Sequence, residues 1–389
     1  MIQVKPLVNL PCTCPDCGCK NPEVKRFFFQ GMHSMVESEC GCCEAYYYHT
    51  LPIFYDESFS IGISKKTEKV RYALKADTLA KPLILSLRAQ EKYTPQVLKI
   101  IYKEYKEVII LNCLDIDYNN IVSKILNAWH YLKMNSVQGL IMIIPSCMMW
   151  MVPEGIAEVW IIEARIFRLN KYIYSLDEFY QKEEARFEKI YLGKTIIHPD
   201  LKNIPLELFL KKNKFDFSQA GVKPFQITFF LSEDRFWLTN KADQFLFQLA
   251  TRFNLMRYLK SYFCFKQNRN CSVFADKISK VIKNISITAT GTGKTGKLGK
   301  NVLDERRLLS KEDPMQYWTG IYSESDLSIG LHGDDMIIPK ALAGNFIEIY
   351  DSNKEDFINT DKLDSVLSEQ MYLPGINLLV NKAIHLMIE

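Results

Sequence analysis

Two Cys-x-x-Cys units, Cys14-Pro-Asp-Cys17 and Cys40-Gly-Cys-Cys43, stand 22 residues apart near the start of the chain. No other feature restricts the fold as tightly. Each unit lets two thiolates approach one ion from a tight turn, and Gly18 can supply the positive φ such turns often need. Two units complete a closed tetrahedral set, so Cys14, Cys17, Cys40 and Cys43 are the expected ligands of a zinc ion. The chain between them must then fold back, which predicts a short hairpin around Arg26-Phe-Phe-Phe29 and a zinc-ribbon-like module over residues 1–50. Four cysteine ligands leave no open coordination position, so the expected zinc is structural and not catalytic. Cys12, Cys19 and Cys42 offer other pairings, and spacing does not choose the register. The competing reading is a set of reduced thiols with only local packing roles.

Seven of the eleven cysteines lie between Cys12 and Cys43. No long apolar core follows a basic start at the N-terminus, and no small-residue cleavage site is seen, so no secretory signal is expected and the cytoplasm is the default. In that reducing compartment the cysteines are expected as thiols or metal ligands, not as a disulfide frame. The longest apolar stretch, Val137 to Val152, is broken by Gln138, Pro145 and Ser146. It is shorter than the ~20 residues a spanning helix needs and reads as buried core.

A chain of 389 residues has room for two or three domains. Apolar residues at 48% and charged residues at 24% exclude a disordered or collagen-like chain. The net charge of +4 permits an anionic partner without demanding one. Because the Glu37–Glu44 segment is acidic and lacks a basic stripe, direct nucleic-acid binding is not expected.

Tyr46 to Ile63 is aromatic and irregular, and Lys65 to Ala76 is charged, which reads as a connector. Beyond it, apolar runs at Pro82–Ser86, Glu107–Leu111, Gly139–Ile144 and Glu158–Ile162 read as strands, with helices at Pro95–Tyr105 and Asn119–Lys133. Runs apolar on both faces and separated by helices indicate a parallel sheet with βαβ crossovers. A second such block has strands at Phe225–Leu231, Ile285–Ala289, Leu327–Leu331 and Asn345–Tyr350. Its helices are expected at about Ala242–Tyr262, Ala275–Lys283 and Met336–Ala343, with a closing helical stretch at Leu363–Ile388. The fold class is therefore α/β: a Rossmann-like domain over residues 51–215, a second over 216–389, and the Cys-rich module. No internal repeat is visible.

Ligands of open α/β sheets bind beyond the carboxyl ends of strands, so the loops there are the candidate sites. After Leu327–Leu331 comes His332-Gly-Asp-Asp335, a turn that offers backbone N–H groups to an anion while His332 donates to a phosphate or sugar hydroxyl. Asp334 and Asp335 are alternatively helix N-caps. The loop Thr290–Gly299 resembles a phosphate loop, but G-x-x-x-x-G-K-[ST] would need glycine where Thr288 stands. What remains is a cationic loop whose Gly291, Gly293 and Lys294 suit close approach to a phosphate, or a plain surface turn. After Phe225–Leu231, Arg235 can pair a diphosphate bidentately with Glu233 orienting it, or form an internal ion pair. On the first domain Asp117, just before a helix, is a general base or only a helix cap.

Ser325-Asp-Leu-Ser-Ile-Gly-Leu-His-Gly333, followed by Ile338-Pro-Lys-Ala-Leu-Ala343 and Phe346-Ile-Glu-Ile349, resembles the donor-side segment of GT-B-fold glycosyltransferases. The close likeness spans about 25 residues, and the order of elements is consistent with that fold over roughly Lys81 to Glu389. The resemblance implies two domains facing a cleft, a nucleotide-sugar donor held by the second and a hydroxyl acceptor, of unknown identity, held by the first. It implies that Arg235, Glu233, Gly291, Gly293, Lys294, His332, Gly333, Asp334 and Glu348 bind the donor, with Asp117 and His332 catalytic and no catalytic metal. The sequence departs from the family's pattern at Asp334-Asp335, where small or neutral residues are usual. The alternatives are a noncatalytic relative that docks through its Cys-rich head, and another nucleotide-using enzyme.

Overall fold

The structure, a computed structural model, describes residues 1–6, 12–20, 22–53, 60–67, 69–72, 77–89, 91–134, 137–195, 203–219, 223–307, 314–350, 368–372 and 374–388. It divides into two compact units, Met1–Ile204 and Pro205–Glu389.

The first unit begins with β1 (Ile2–Lys5) and an antiparallel meander of β2 (Pro22–Phe29), β3 (Ser34–Cys40), β4 (Tyr46–Thr50), β5 (Ile61–Ser64) and β6 (Val70–Tyr72). The hairpin expected around Arg26–Phe29 is β2–β3, with Arg26 opposite Glu37 and Phe29 opposite Ser34. The expected connector is corrected: it supplies β4 to β6, because buried Tyr47, Ile61 and Ile63 give it a core face.

Then follow α1 (Asp77–Arg88), β7 (Val97–Ile101), β8 (Glu107–Asn112), α2 (Tyr118–Leu126), α3 (Ala128–Met134), β9 (Gly139–Pro145), β10 (Glu158–Ile162), α4 (Tyr174–Glu183) and β11 (Lys189–Leu192). Two expectations reverse here. Pro82–Ser86 is helical in α1, since Ala80 and Leu83 pack against Phe28 and Met35 while Leu85 is 62% exposed. That spacing has a helix period, not a strand's. Conversely Val97–Ile101, rich in β-branched residues, pairs antiparallel with β10 as an edge strand.

The α/β sheet of this unit runs β1-β11-β8-β9-β10-β7. Its inner four strands are parallel, and β8, β9 and β10 are almost wholly buried, as their unbroken apolar runs require. Strand order reverses between β8 and β11, which makes that gap a topological switch point.

The second unit contains α5 (Leu206–Leu210), β12 (Phe225–Phe230), α6 (Lys241–Arg252), α7 (Met256–Val281), β13 (Ile285–Thr290), β14 (Leu303–Asp304) and α8 (Pro314–Ser323). It closes with β15 (Leu327–Leu331), α9 (Ile337–Leu342), β16 (Asn345–Tyr350), β17 (Ser368–Tyr372) and α10 (Ile376–Ile388). The sheet runs β14-β13-β12-β15-β16-β17 and is parallel throughout. Ranked along the chain this is 3-2-1-4-5-6, the doubly wound order of dinucleotide-binding sheets, with its switch point between β12 and β15.

The helix expected at Ala242–Tyr262 is two helices, broken where Asn254 takes a φ of 55°, and α7 continues through the one expected at Ala275–Lys283. Within Leu363–Ile388, which reads as helix, residues 368–372 form β17 and residues 363–367 lie outside the described set. The following α10 buries Leu379, Ala383 and Leu386 in the core with Phe274, Ile329 and Ile347.

Candidate functional site

The candidate metal centre is built by two turns with the same backbone. In the first, Cys14 N–H donates to Cys19 O at 2.9 Å and Gly18 N–H to Cys14 O at 3.0 Å. In the second, Cys40 N–H donates to Ala45 O at 3.0 Å and Glu44 N–H to Cys40 O at 2.9 Å. The fifth residue of each has a positive φ, 78° at Gly18 and 55° at Glu44. Each turn offers one buried sulfur, Cys14 or Cys40, and one exposed, Cys17 or Cys43.

Cys14 Sγ lies 3.7 Å from Cys43 Sγ and Cys17 Sγ 3.5 Å from Cys40 Sγ, and all four sulfurs fall within 4.8 Å of one another. A tetrahedral ion with Zn–S bonds of about 2.3 Å spaces its sulfurs about 3.8 Å apart, so the group has room for one metal ion. Burial opposes ionisation of Cys40, yet N–H groups of Cys42 and Cys43 bring its thiol down to about 7. That favours one of the four thiolates a metal requires, whereas burial pushes the Cys14 thiol up and, against the Ala45 N–H, the neighbouring sulfurs raise that of Cys43. Buried Cys12, pushed up to about 11 by desolvation, stays a thiol.

One expectation fails. Cys19 and Cys42 are joined by a disulfide, so the head is not composed only of thiols and ligands. A second possible ligand group, Cys19, Cys40 and Cys42, overlaps that bond. With both of its outer sulfurs consumed, the Cys14–Cys17–Cys40–Cys43 set is the one left with every sulfur able to hold an ion.

The centre is tied to the rest of its unit. Asp16, inside the first turn, accepts from Ser64 Oγ at 2.6 Å and from Thr67, and these hydroxyls hold its carboxyl below the ordinary range. Arg26 on β2 bonds Glu37 on β3 at 2.8 Å and Asp177 on α4 at 3.0 Å. At the far end of the β2–β3 hairpin, Gly31 O accepts from Asn112 Nδ2 at 2.9 Å, beside the switch point of the α/β sheet.

The second candidate site lies at the carboxyl edge of the other sheet. His332 follows β15 and its N–H donates to Ile349 O at 2.8 Å, which fixes it against β16. Its ring stacks on Tyr350 with centroids 4.1 Å apart. Nδ1 lies 2.9 Å from Glu348 Oε1, close in distance but without hydrogen-bond alignment. Glu348, buried in β16, accepts through Oε2 from Lys340 Nζ at 2.7 Å and Tyr350 OH at 3.0 Å. Burial pushes its carboxyl up, but His332 and the Lys340 charge outweigh this and hold it below its ordinary value.

Arg235, in the loop after β12, donates to His332 O and to the Asp335 carboxylate. Glu233 does not orient it, a correction to the sequence reading. Glu233 instead pairs with Lys260 at 2.8 Å and accepts from Thr295 N–H at 2.7 Å, because the glycine loop folds down onto it. Gly293 and Gly333 have φ of 98° and 152°, a backbone conformation that side chains rarely adopt, and a Cβ there would also displace the Glu233 carboxyl and the Arg235 guanidinium, so both positions favour glycine. Gly291 follows β13 and its carbonyl accepts from Arg307 N–H at 3.1 Å; Lys294 is exposed in the same loop. Asp334 sits in a 3-10 turn, and its side chain lies outside the described set. Asp335 lies inside the same turn and its carboxylate holds Arg235, while the N-cap position of α9 falls on Met336.

Asp117 belongs to the first unit, where it is the exposed N-cap of α2 and accepts from Asn119 N–H at 2.8 Å. Sequence reasoning missed Lys340 and Tyr350. The signal was present: Lys340 interrupts an apolar helix and Glu348 an apolar strand, and two opposite charges in buried elements need each other. It also missed Arg306, buried and holding Asp304, Asn268 and Gly296 O together behind the glycine loop. Cavities of about 610 Å³ near Lys81 and Tyr172 and about 490 Å³ near Lys212 and Asp326 lie away from these residues.

Compared with protein-family models, with curated proteins and with solved structures, the chain matches none.

Proposed function

We propose that the protein is a glycosyltransferase whose Pro205–Glu389 unit binds a nucleotide-sugar donor, and that zinc in the four-cysteine centre is structural. The observation that carries this reading is convergence at one sheet edge. Neighbouring parallel strands β13, β12, β15 and β16 end in or beside the Gly291–Gly293 loop, Arg235, His332-Gly333 and Glu348. They straddle the β12/β15 switch point, where open α/β sheets take ligands.

In this reading the donor diphosphate displaces Asp335 from the Arg235 fork, and Gly293 and Gly333 let backbone approach it. Arg235 and Lys294 stabilise the charge that develops on the leaving diphosphate. Because Glu348 faces Nδ1 of His332, Nε2 is the atom available to a phosphate or sugar hydroxyl. The acceptor oxygen bonds to the anomeric carbon as the bond to the diphosphate breaks; the electron pair leaves with the diphosphate and the hydroxyl proton passes to a general base, the role the sequence resemblance gives to Asp117.

A second reading, a noncatalytic binding protein, is favoured by one observation: Asp335 already occupies Arg235. A panel of nucleotides and nucleotide sugars separates the two by thermal shift. A ligand at about 100 times its dissociation constant adds about 2.7 kcal/mol of stability. The transferase reading expects a selective shift that Arg235→Ala and His332→Ala abolish, and donor turnover with acceptor present. No shift with any donor from the folded chain removes it.

A further inference from the structure

The helical hairpin α6–α7 of the second unit carries a surface that neither the sheet edge nor the metal centre accounts for. Residues 241–269 hold six lysines and arginines against one acid, Asp243, a net +5 where the whole chain carries +4. The charge excess of the protein is therefore concentrated in these 29 residues. The inner face of the hairpin is core: Phe263, Cys264, Gln267 and Phe274 are buried. On the outside, Phe245, Phe253, Tyr258 and Phe265 are each 59–66% exposed, and Leu255 is 43% exposed. Single exposed apolar residues need no explanation, but a cluster on two helices and their turn does. Cations stand among them, with Arg252 over Phe253 at 6.0 Å and Arg257 over Tyr258 at 4.5 Å.

We infer that this hairpin docks on an anionic lipid bilayer, lying in the headgroup plane with the Phe253–Leu255 turn in the acyl boundary. Exposed aromatic and aliphatic side chains with Arg252 and Arg257 among them match that interface in both polarity and sign of charge. No helix among the described residues is long and apolar enough to cross a membrane, so the hairpin lies on the surface. A nucleic-acid surface is the weaker match, because Leu255 at the turn has neither a stacking face nor a hydrogen bond to offer.

The buried side of α7 is bolted to the candidate site. Gln267 accepts from Trp237 N–H at 3.0 Å and donates to Ser232 O at 2.9 Å, and Asn268 donates to Thr295 O at 3.0 Å. Docking therefore holds the loops after β12 and β13 close to the lipid surface. Combined with the proposed transferase reading, this favours a lipid-linked acceptor, although the docking itself does not rest on that reading.

The test is co-sedimentation of the full chain with vesicles of phosphatidylcholine alone and of phosphatidylcholine mixed with phosphatidylglycerol. Binding is expected to the mixed vesicles and to weaken with salt. Arg252→Glu with Arg257→Glu, and separately Phe253→Ser with Leu255→Ser, should each lower the partition coefficient roughly tenfold or more. Melting temperatures should be unchanged, since these residues are exposed. No binding to anionic vesicles, or binding indifferent to both pairs of substitutions, overturns the inference. So does single-stranded RNA that binds more tightly than the vesicles and is lost in the arginine variant. A nucleotide-sugar shift that persists in the vesicle-deficient variants would show that donor binding and docking are separate properties.

Discussion

The four-cysteine centre and the His332–Glu348 cluster are both small polar sites, yet they are assembled in opposite ways. The first is made by two local turns, each closing on its own backbone within six residues, from Cys14 to Cys19 and from Cys40 to Ala45. The second draws its parts from loops after β12 and β15, from α9 and from β16, and becomes one object only after the sheet has formed. A locally encoded site needs an external ion to finish it. A topologically encoded site is finished by internal ion pairs, and these must reopen before a ligand enters.

The largest expected effect concerns the four-cysteine centre. Structural zinc contributes an apparent ~10–16 kcal/mol in small finger peptides. Chelation, or Cys40→Ser, should release one ion per chain and strip hydrogen-exchange protection from β2 to β5 while β12 to β16 keep theirs. Elemental analysis with exchange mass spectrometry reads both. If β2 and β3 stay protected without metal, Arg26–Asp177 and the Phe27–Tyr180 contact hold the hairpin, and the contrast between the two sites collapses.

The next effect breaks the second site from inside. Glu348→Leu leaves the Lys340 ammonium buried without its carboxylate, which costs about 3–5 kcal/mol; adding Lys340→Met should recover much of that. Urea unfolding measures the cycle. The sign with pH follows from the depressed carboxyl of Glu348. Its contribution is full above the ordinary value near 4.5 and is lost as pH falls below that toward the folded-state value. The acid limb of stability should therefore be flatter in Glu348→Leu. An identical limb would mean that this carboxylate is not held ionised by Lys340.

Legibility in the sequence divides along the same line. The cysteine turns could be read because all that defines them, two Cys-x-x-Cys spacings and Gly18, lies within a few residues. Strands β8, β9 and β10 could be read because burial on both faces leaves a nearly unbroken apolar run, and β12, β13, β15 and β16 because short runs rich in β-branched and aromatic residues recur between helical stretches. Edge elements could not: β7 is half exposed and its pattern passes for a helix, while α1 contains Pro82 and passes for a strand. The Glu233–Lys260 and Arg235–Asp335 pairs were hidden because either partner of Arg235 is plausible in sequence, and only the fall of the glycine loop onto Glu233 decides.

The smallest expected effect concerns Asp117, where the two modes of encoding meet in one residue. As an N-cap it is a local feature, and Asp117→Ala should cost about 1 kcal/mol through the Asn119 N–H left unpaired. Asn caps helices about as well as Asp, so Asp117→Asn should leave stability nearly unchanged. An amide cannot take the acceptor proton, however, and loss of a general base costs typically 10²–10⁴ in rate. Unfolding and turnover measured on the same two variants therefore separate the roles. If Asp117→Asn keeps both stability and turnover, Asp117 is only a cap and the acceptor's base must be sought elsewhere.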